Sequence, residues 1–429
     1  MTSTSINLFL YFLSLVFGVY IFRLRKVTLF SNYAIFLFFS ILYTIAPVLN
    51  HLFNTFLSSW AVIYSGGIIE KYLLLSSLCN FCFFGVYAFV KIPGNPVGLQ
   101  LFPSGSAPAV IFPILLVLGT AVIFLGIKYP YGQPRPEMIH SVISNLTVLL
   151  SGVFVLYLFV GRGWKVAAGF GLLLACMLVE RSRWAFVSAL IALFFYFDDQ
   201  GRVTARVKVF SLLFLPVLLS AVALYRVGQF SFETLWAPFL VEGVMGSYPA
   251  VQSVELVSKG FNSFSYFLDY VVDPLVYMVP RVLFYILDVQ KDAVGIFPAM
   301  IAKGQPLLTM PFAPRGGFHY IAQAHLSIPY VGPLLITSML ALLTGLVENR
   351  RGKSIPFLMF YYLFSAGFFF VFIKTIFALT VKYFLTFSLP TGVFLLFSWW
   401  HSSDRGITGE VSKVLWPKAR EKSKSMEPN

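Results

Sequence analysis

Charge is what this chain has least of. Of its 429 residues only 11% are Asp, Glu, Lys or Arg, and the 17 acidic residues are outnumbered by 31 basic ones. An ordinary soluble domain carries about 25% charged residues, so this sequence cannot wet a surface of normal size. Histidine (5) and cysteine (3) are nearly as rare. Cys79 and Cys82 have CxxC spacing inside an apolar run and Cys176 stands alone in another, which makes neither a disulfide framework nor a zinc site and leaves packing as the expected role. No group of His, Cys and carboxylate residues has metal-ligand spacing, so neither a metal nor another cofactor is expected. A P-loop and a GxGxxG turn set between a strand and a helix are missing too, and no internal repeat of the kind found in many transporters is visible.

What fills the chain instead is apolar. Hydrophobic residues make up 58% of it and Phe alone occurs 48 times, and the mean hydropathy is +0.82. A single soluble core of this length could not bury so much, which implies an all-α polytopic membrane protein in contact with lipid. On such a protein the net charge of +14 is an orientation signal, and nucleic acid is not an expected partner.

Runs able to cross the hydrocarbon core, roughly 20 residues each, are expected at residues 6–22, 28–49, 69–90, 109–127, 139–160, 166–179, 184–197, 209–225, 326–347, 355–372 and 384–400, about eleven helices in all. The first lacks a basic n-region and a small-residue cleavage site and reads as a retained helix. The pair 166–179 and 184–197 is short, and reads as a tight hairpin with its polar tip at residues 180–183 near the headgroups. The chain thus divides into N-terminal helices (1–225), a large region without a spanning run (226–325), C-terminal helices (326–400) and a basic tail (401–429). Arg23, Arg25, Lys26, Lys165, Lys208, Arg350, Arg351, Lys353 and the tail collect on one side, the cytoplasm by the positive-inside rule. The large region, the hairpin tip and the N-terminus then lie outside. Within the large region, residues 261–284 mix aromatics with single charges, as interfacial helices do; Asp269 and Asp273 are one turn apart and read as a solvated face.

The segment PFAPRGGFHYIAQAHLSIPYVG, residues 311–332, is different from everything around it. It sets Arg315, His319, Tyr320, Gln323 and His325 directly before an apolar helix, and such groups are costly beside a membrane unless they are used. Cationic residues near helix ends on the same side are Arg183, Arg226, Arg281 and Arg315. Guanidinium stays ionised and grips phosphate bidentately, whereas imidazole titrates near neutrality and suits a general base. Each also has an ordinary alternative, the arginine as a headgroup anchor and the histidine as a core residue.

GGFHYIAQAHLSIPYVG resembles the motif before a late transmembrane helix in bacterial oligosaccharide repeat-unit polymerases, the Wzy-type O-antigen polymerases, through Gly316, Gly317, Tyr320, Ile321, Ala322, Ala324, Leu326 and Gly332. The segment ending in Arg281 resembles that family's proline-arginine pair, and ERSRW with Arg183 its serine-arginine opening of a middle helix. The likeness covers about residues 165–350. Gln323 replaces the usual Glu, His325 a common Tyr, Ser327 the Asn, Ile328 the Phe and Pro329 a Gly, so Gln323 cannot be a base.

The resemblance implies a GT-C-like fold in the bacterial inner membrane. It implies transfer of a growing glycan from undecaprenyl pyrophosphate to a second lipid-linked repeat unit at the periplasmic face, without cofactor or metal. For such a reaction the chemistry of the side chains points to His319, His325, Arg281 and Arg315 for catalysis, and to Arg183, Arg226, Tyr266, Tyr320 and Gln323 for pyrophosphate or sugar binding. Membrane lipids, a chain-length regulator and a flippase are the implied partners. An O-antigen ligase would share the fold and donor; it carries a His-Asn pair where Phe318 and His319 stand here. A flippase for lipid-linked oligosaccharide is the alternative of another class.

Overall fold

The structure is a computed structural model, and it describes residues 3–53, 66–90, 107–130, 136–161, 163–180, 183–201, 203–204, 206–211, 237–260, 264, 267, 269–279, 320–375 and 377–404. Within these residues the architecture is entirely helical: α1 (Ser3–Leu24), α2 (Asn32–Phe53), α3 (Gly66–Phe89), α4 (Ala107–Lys128), α5 (Glu137–Val160), α6 (Trp164–Glu180), α7 (Arg183–Asp199), α8 (Ala237–Ser258), α9 (Asp269–Met278), α10 (Tyr320–Ser327), α11 (Val331–Arg350), α12 (Ile355–Leu363), a π-helical turn (Phe364–Phe369), α13 (Phe370–Lys374) and α14 (Phe377–Asp404). Helices are what such apolar runs must form, since lipid offers no partner to backbone N–H and C=O groups.

Eight of these stretches are long and apolar enough to span a membrane, and they fall on eight of the expected runs; the chain is a polytopic membrane protein. Helices α6 and α7, at 17 residues each, occupy the two short runs. Of the run expected at 209–225, the structure describes only 209–211, which are helical together with 206–208. Two boundaries differ most from expectation. The helix expected from 326 starts at Val331, because Pro329 lacks an N–H and disfavours helix in the residue before it. The last helix starts at Phe377, not 384; Lys382 does not end it, since a long basic stem can run along the helix surface to a wetter zone.

Side-chain contacts give the direction of each helix. Asn7 at the start of α1 donates to the Glu70 carbonyl at the start of α3 (3.1 Å), so these two run parallel. Tyr33 at the start of α2 donates to the Gly18 carbonyl late in α1 (2.6 Å), so α2 runs back. The ends of α3, α7 and α11 and the last turn of α12 meet in one buried polar corner. There Tyr87 donates to Glu348, Tyr362 to Asp199 (2.7 Å) and Arg351 to the Tyr361 hydroxyl (3.4 Å), while Lys208 pairs with Asp198. This basic end of the bundle is also where α1 finishes, at Arg23 to Lys26. Opposition of the charges holds Arg351 firmly protonated despite its burial.

Small residues let the helices close on each other. A methyl on Gly152 of α5 would collide with the Phe387 carbonyl of α14, and one on Gly119 of α4 with Leu172 of α6. A polar clasp joins α1, α2 and α3: Ser40 donates to the Asn80 amide oxygen (2.7 Å) and the Asn80 amide to Ser14 (3.0 Å). Asn80→Ala removes both bonds and leaves the two serines without them; an expected loss of about 1 kcal/mol would appear as a lower unfolding temperature of the purified protein. Cys79 and Cys176 are buried free thiols, and the Cys176 Sγ sits 3.5 Å from the Gly119 carbonyl.

The non-spanning helices gather at the end opposite the basic corner. Helix α8 lies against the second half of α2, so closely that a methyl on Gly246 would enter the Tyr43 ring. Helix α9 packs on α14, with the Tyr270 ring centroid 5.5 Å from that of Phe377.

Candidate functional site

All eight residues of α10 are buried, although the helix is too short to span and carries Gln323, His325 and Ser327. It wedges between α8, α11 and the junction of α13 with α14. The chain turns sharply at its end. Ile328 donates to Ala324 (3.0 Å), Val331 to Pro329 (2.7 Å) and Gly332 to Ile328 (2.8 Å). Tyr330 is left at φ 59°, ψ −50°, a γ-turn conformation that is rare for a residue with a side chain. Gly332 is needed there, since a Cβ would run into the Ala324 carbonyl. Strain of this kind persists where surroundings hold it, often at functional sites.

His325 is wholly buried. Its Nδ1 lies 3.3 Å from the Ser253 hydroxyl of α8, its ring edge meets Tyr330 at 5.1 Å between centroids, and its Nε2 has no hydrogen-bond partner. Burial pushes the imidazole down from its usual 6.5 to about 4, so it is neutral throughout the physiological range. The proton balance follows. Between about 4 and 6.5 the unfolded chain binds a proton that the folded chain refuses. The stabilisation from this residue is therefore complete above about 6.5 and is lost as pH falls toward 4, on the order of 3 kcal/mol in all. Wild-type protein should lose thermal stability over that window more steeply than His325→Gln; equal slopes would contradict the assignment.

Gln323 faces the other way. Its amide oxygen accepts the Phe377 backbone N–H (3.2 Å) and its Nε2 is buried without a partner. The amide thus fastens α10 to the first turn of α14. Tyr320 is an interior residue, 2% exposed, with its hydroxyl accepting from Thr337 (3.3 Å) and its ring against Phe372; no ring face stands open to a sugar. With Ile321 and Ile373 it lines a mainly apolar cavity of about 20 Å³ that Ser40, Ser76 and Asn80 also border, room for about one water.

Arg226, Tyr266, Arg281, Arg315 and His319 lie outside the described residues, as does the side chain of Arg183 at the start of α7. Of the expected site residues the structure therefore gathers Tyr320, Gln323 and His325 on one short helix. It adds two that the sequence reading passed over, Ser253 and Lys374, and corrects a third, Asp273. Ser253 carries no motif. Lys374, 5% exposed, ends α13 with its ammonium 5.2 Å from the Phe39 ring centroid and 5.6 Å from that of Phe370; a lone lysine closing an apolar run was its signal. Asp273, read from sequence as part of a wet face, is fully buried, because that face of α9 packs on α14. Among the described residues no three His, Cys, Asp or Glu side chains gather as a metal site would.

Comparison of the chain with protein families, with curated proteins and with solved structures finds no match.

Proposed function

We propose that this chain is a membrane glycosyltransferase of GT-C-like fold that polymerises lipid-pyrophosphate-linked oligosaccharide repeat units at the periplasmic face of a bacterial inner membrane. The observation that carries the reading is the buried, neutral imidazole of His325, with an unpartnered ring nitrogen, on a short helix opening onto a late span at the end of the bundle opposite the basic corner. In the reaction the acceptor sugar hydroxyl bonds to the anomeric carbon of the donor, the carbon–oxygen bond to pyrophosphate breaks, and the lipid pyrophosphate leaves with the electron pair. The hydroxyl proton goes to the base, His325 or His319. Charge on the leaving group calls for fixed cations: Arg281 and Arg315, supported by Arg183 and Arg226, with Lys374 added from its place at the end of α13. Tyr266 is left as the candidate sugar contact. Undecaprenyl-pyrophosphate-linked glycans are the donor and acceptor, and a flippase and a chain-length regulator the expected partners. The surface polymer made is O-antigen or a related polysaccharide.

The test is to incubate purified protein in liposomes with undecaprenyl-pyrophosphate-linked repeat units, with and without EDTA, and separate the products on a gel. A ladder of lengths that persists in EDTA is the expected result. Transfer to added lipid A core in place of a ladder would make the protein a ligase.

A further inference from the structure

The Ser253–His325 contact decides which nitrogen of the imidazole is the base. The Ser253 hydroxyl is 2.6 Å from the Ala250 carbonyl, one turn back on α8, and donates its single proton there. A hydroxyl that has spent its proton can only accept, so at 3.3 Å the Nδ1 of His325 must be the donor. In a neutral ring one nitrogen carries the proton and the other the lone pair, which puts the lone pair on Nε2. That atom is buried and has no partner. An unmet buried acceptor costs stability, and nothing in the packing of α8, α10 and the Tyr330 turn relieves it.

We propose that Ser253 is a positioning residue that fixes His325 in its Nδ1-protonated tautomer, and that the vacant Nε2 is the acceptor for a hydroxyl proton of a sugar ligand. This rests on the glycosyltransferase reading only for the identity of the ligand; the tautomer stands on the contact with the Ser253 hydroxyl, beside which the Ser253 backbone also hydrogen-bonds the ring. Ser253 does not touch the reacting atoms. Its hydroxyl forces the rarer tautomer of histidine and prevents Nε2 from being the protonated, non-basic nitrogen. The site differs from a serine nucleophile paired with histidine, in which the hydroxyl would donate to the ring and leave its oxygen facing the substrate.

The experiment has two independent arms. In the first, full-length protein labelled with ¹⁵N-histidine is reconstituted in liposomes and its imidazole nitrogens are observed by solid-state NMR, with the His325 signals assigned by subtraction of His325→Gln. Wild-type protein should show a protonated Nδ1 and a bare Nε2 at pH 7.5. Ser253→Ala should shift the population toward the Nε2-protonated form, and Ser253→Thr, which keeps the hydroxyl, should restore the wild-type pattern. A wild-type ring protonated on Nε2 would overturn the proposal whatever the protein catalyses. So would a Ser253→Ala variant with an unchanged tautomer.

In the second arm polymer formation is measured at saturating donor. Ser253→Ala should lower kcat by on the order of tenfold, with Ser253→Thr recovering most of it and KM little changed in either, because the loss falls on proton transfer and not on binding. An equal loss in both variants would mark a packing role only and overturn the positioning assignment. If the wild type makes no polymer while the first arm succeeds, the failure belongs to the enzymatic reading and the ligand alone must be reassigned.

Discussion

His325→Ala is expected to lower polymer synthesis by roughly 10²–10⁴-fold, the usual contribution of a positioned general base, while the protein remains folded and extractable. The reasoning joins burial to chemistry. A surface histidine would be half protonated near 6.5 and would lose its lone pair with mild acidification, whereas His325, held down to about 4, keeps it. Wild-type activity should accordingly survive down to about pH 5 so far as this group decides it. The cavity left by alanine removes one buried polar ring that was itself poorly partnered, so the structural cost is small against the kinetic one. The variant is measured by the rate of ladder growth at matched amounts of monodisperse protein. A loss of less than about threefold would move the base elsewhere, with His319 the next candidate.

The second large effect is structural. Gly152→Val should leave little or no folded protein. Helices α5 and α14 approach so closely at Gly152 that its missing side chain is replaced by the backbone carbonyl of Phe387. A side chain can swing away from an intruding methyl, but a carbonyl fixed in a helix cannot, so the two helices must separate along their length. Overpacking of this kind costs about 1–3 kcal/mol even where side chains can adjust, and here the relief must come from backbone. Gly171→Ala on α6 is the control, because nothing lies within 4 Å of its Cβ position and alanine favours helix over glycine by about 1 kcal/mol. The comparison is read as the fraction of extracted protein that elutes as a single species and as its unfolding temperature. Equal yields for the two variants would mean that α5 and α14 do not meet as described.

The helices were legible because a membrane leaves a coarse signature: a run of roughly 20 apolar residues is a span whatever its neighbours do. Their alternation followed from the spacing of basic loops, and contacts such as Asn7 with Glu70 and Tyr33 with Gly18 give the same directions. The corner at Pro329 was legible in part. The proline was visible, but the mainly apolar run from Leu326 to Val347 outweighed it, and nothing local announced that Tyr330 takes up a positive φ. Pairings across the fold left no trace in sequence. Ser253 and His325 are 72 residues apart and Tyr87 and Glu348 261 apart, and neither serine nor tyrosine in a hydrophobic stretch declares a partner. Asp273 misled because a pair of carboxylates one turn apart usually faces water; which face of α9 meets α14 is a tertiary fact. Gln323 shows the opposite case. Its departure from the glutamate of the resembling family looked like a gap in the chemistry, and its bond to Phe377 gives the amide a structural task of its own.

The claim that this bundle forms glycosidic bonds is tested most directly by counting the leaving group. Protein in liposomes is supplied with lipid-linked repeat units, and free undecaprenyl pyrophosphate is measured together with the bonds formed between repeat units. The account predicts one molecule of lipid pyrophosphate released for each repeat unit joined, with both quantities falling together in His325→Ala. Lipid-linked substrate that crosses the bilayer intact, with no pyrophosphate lipid set free, would contradict it.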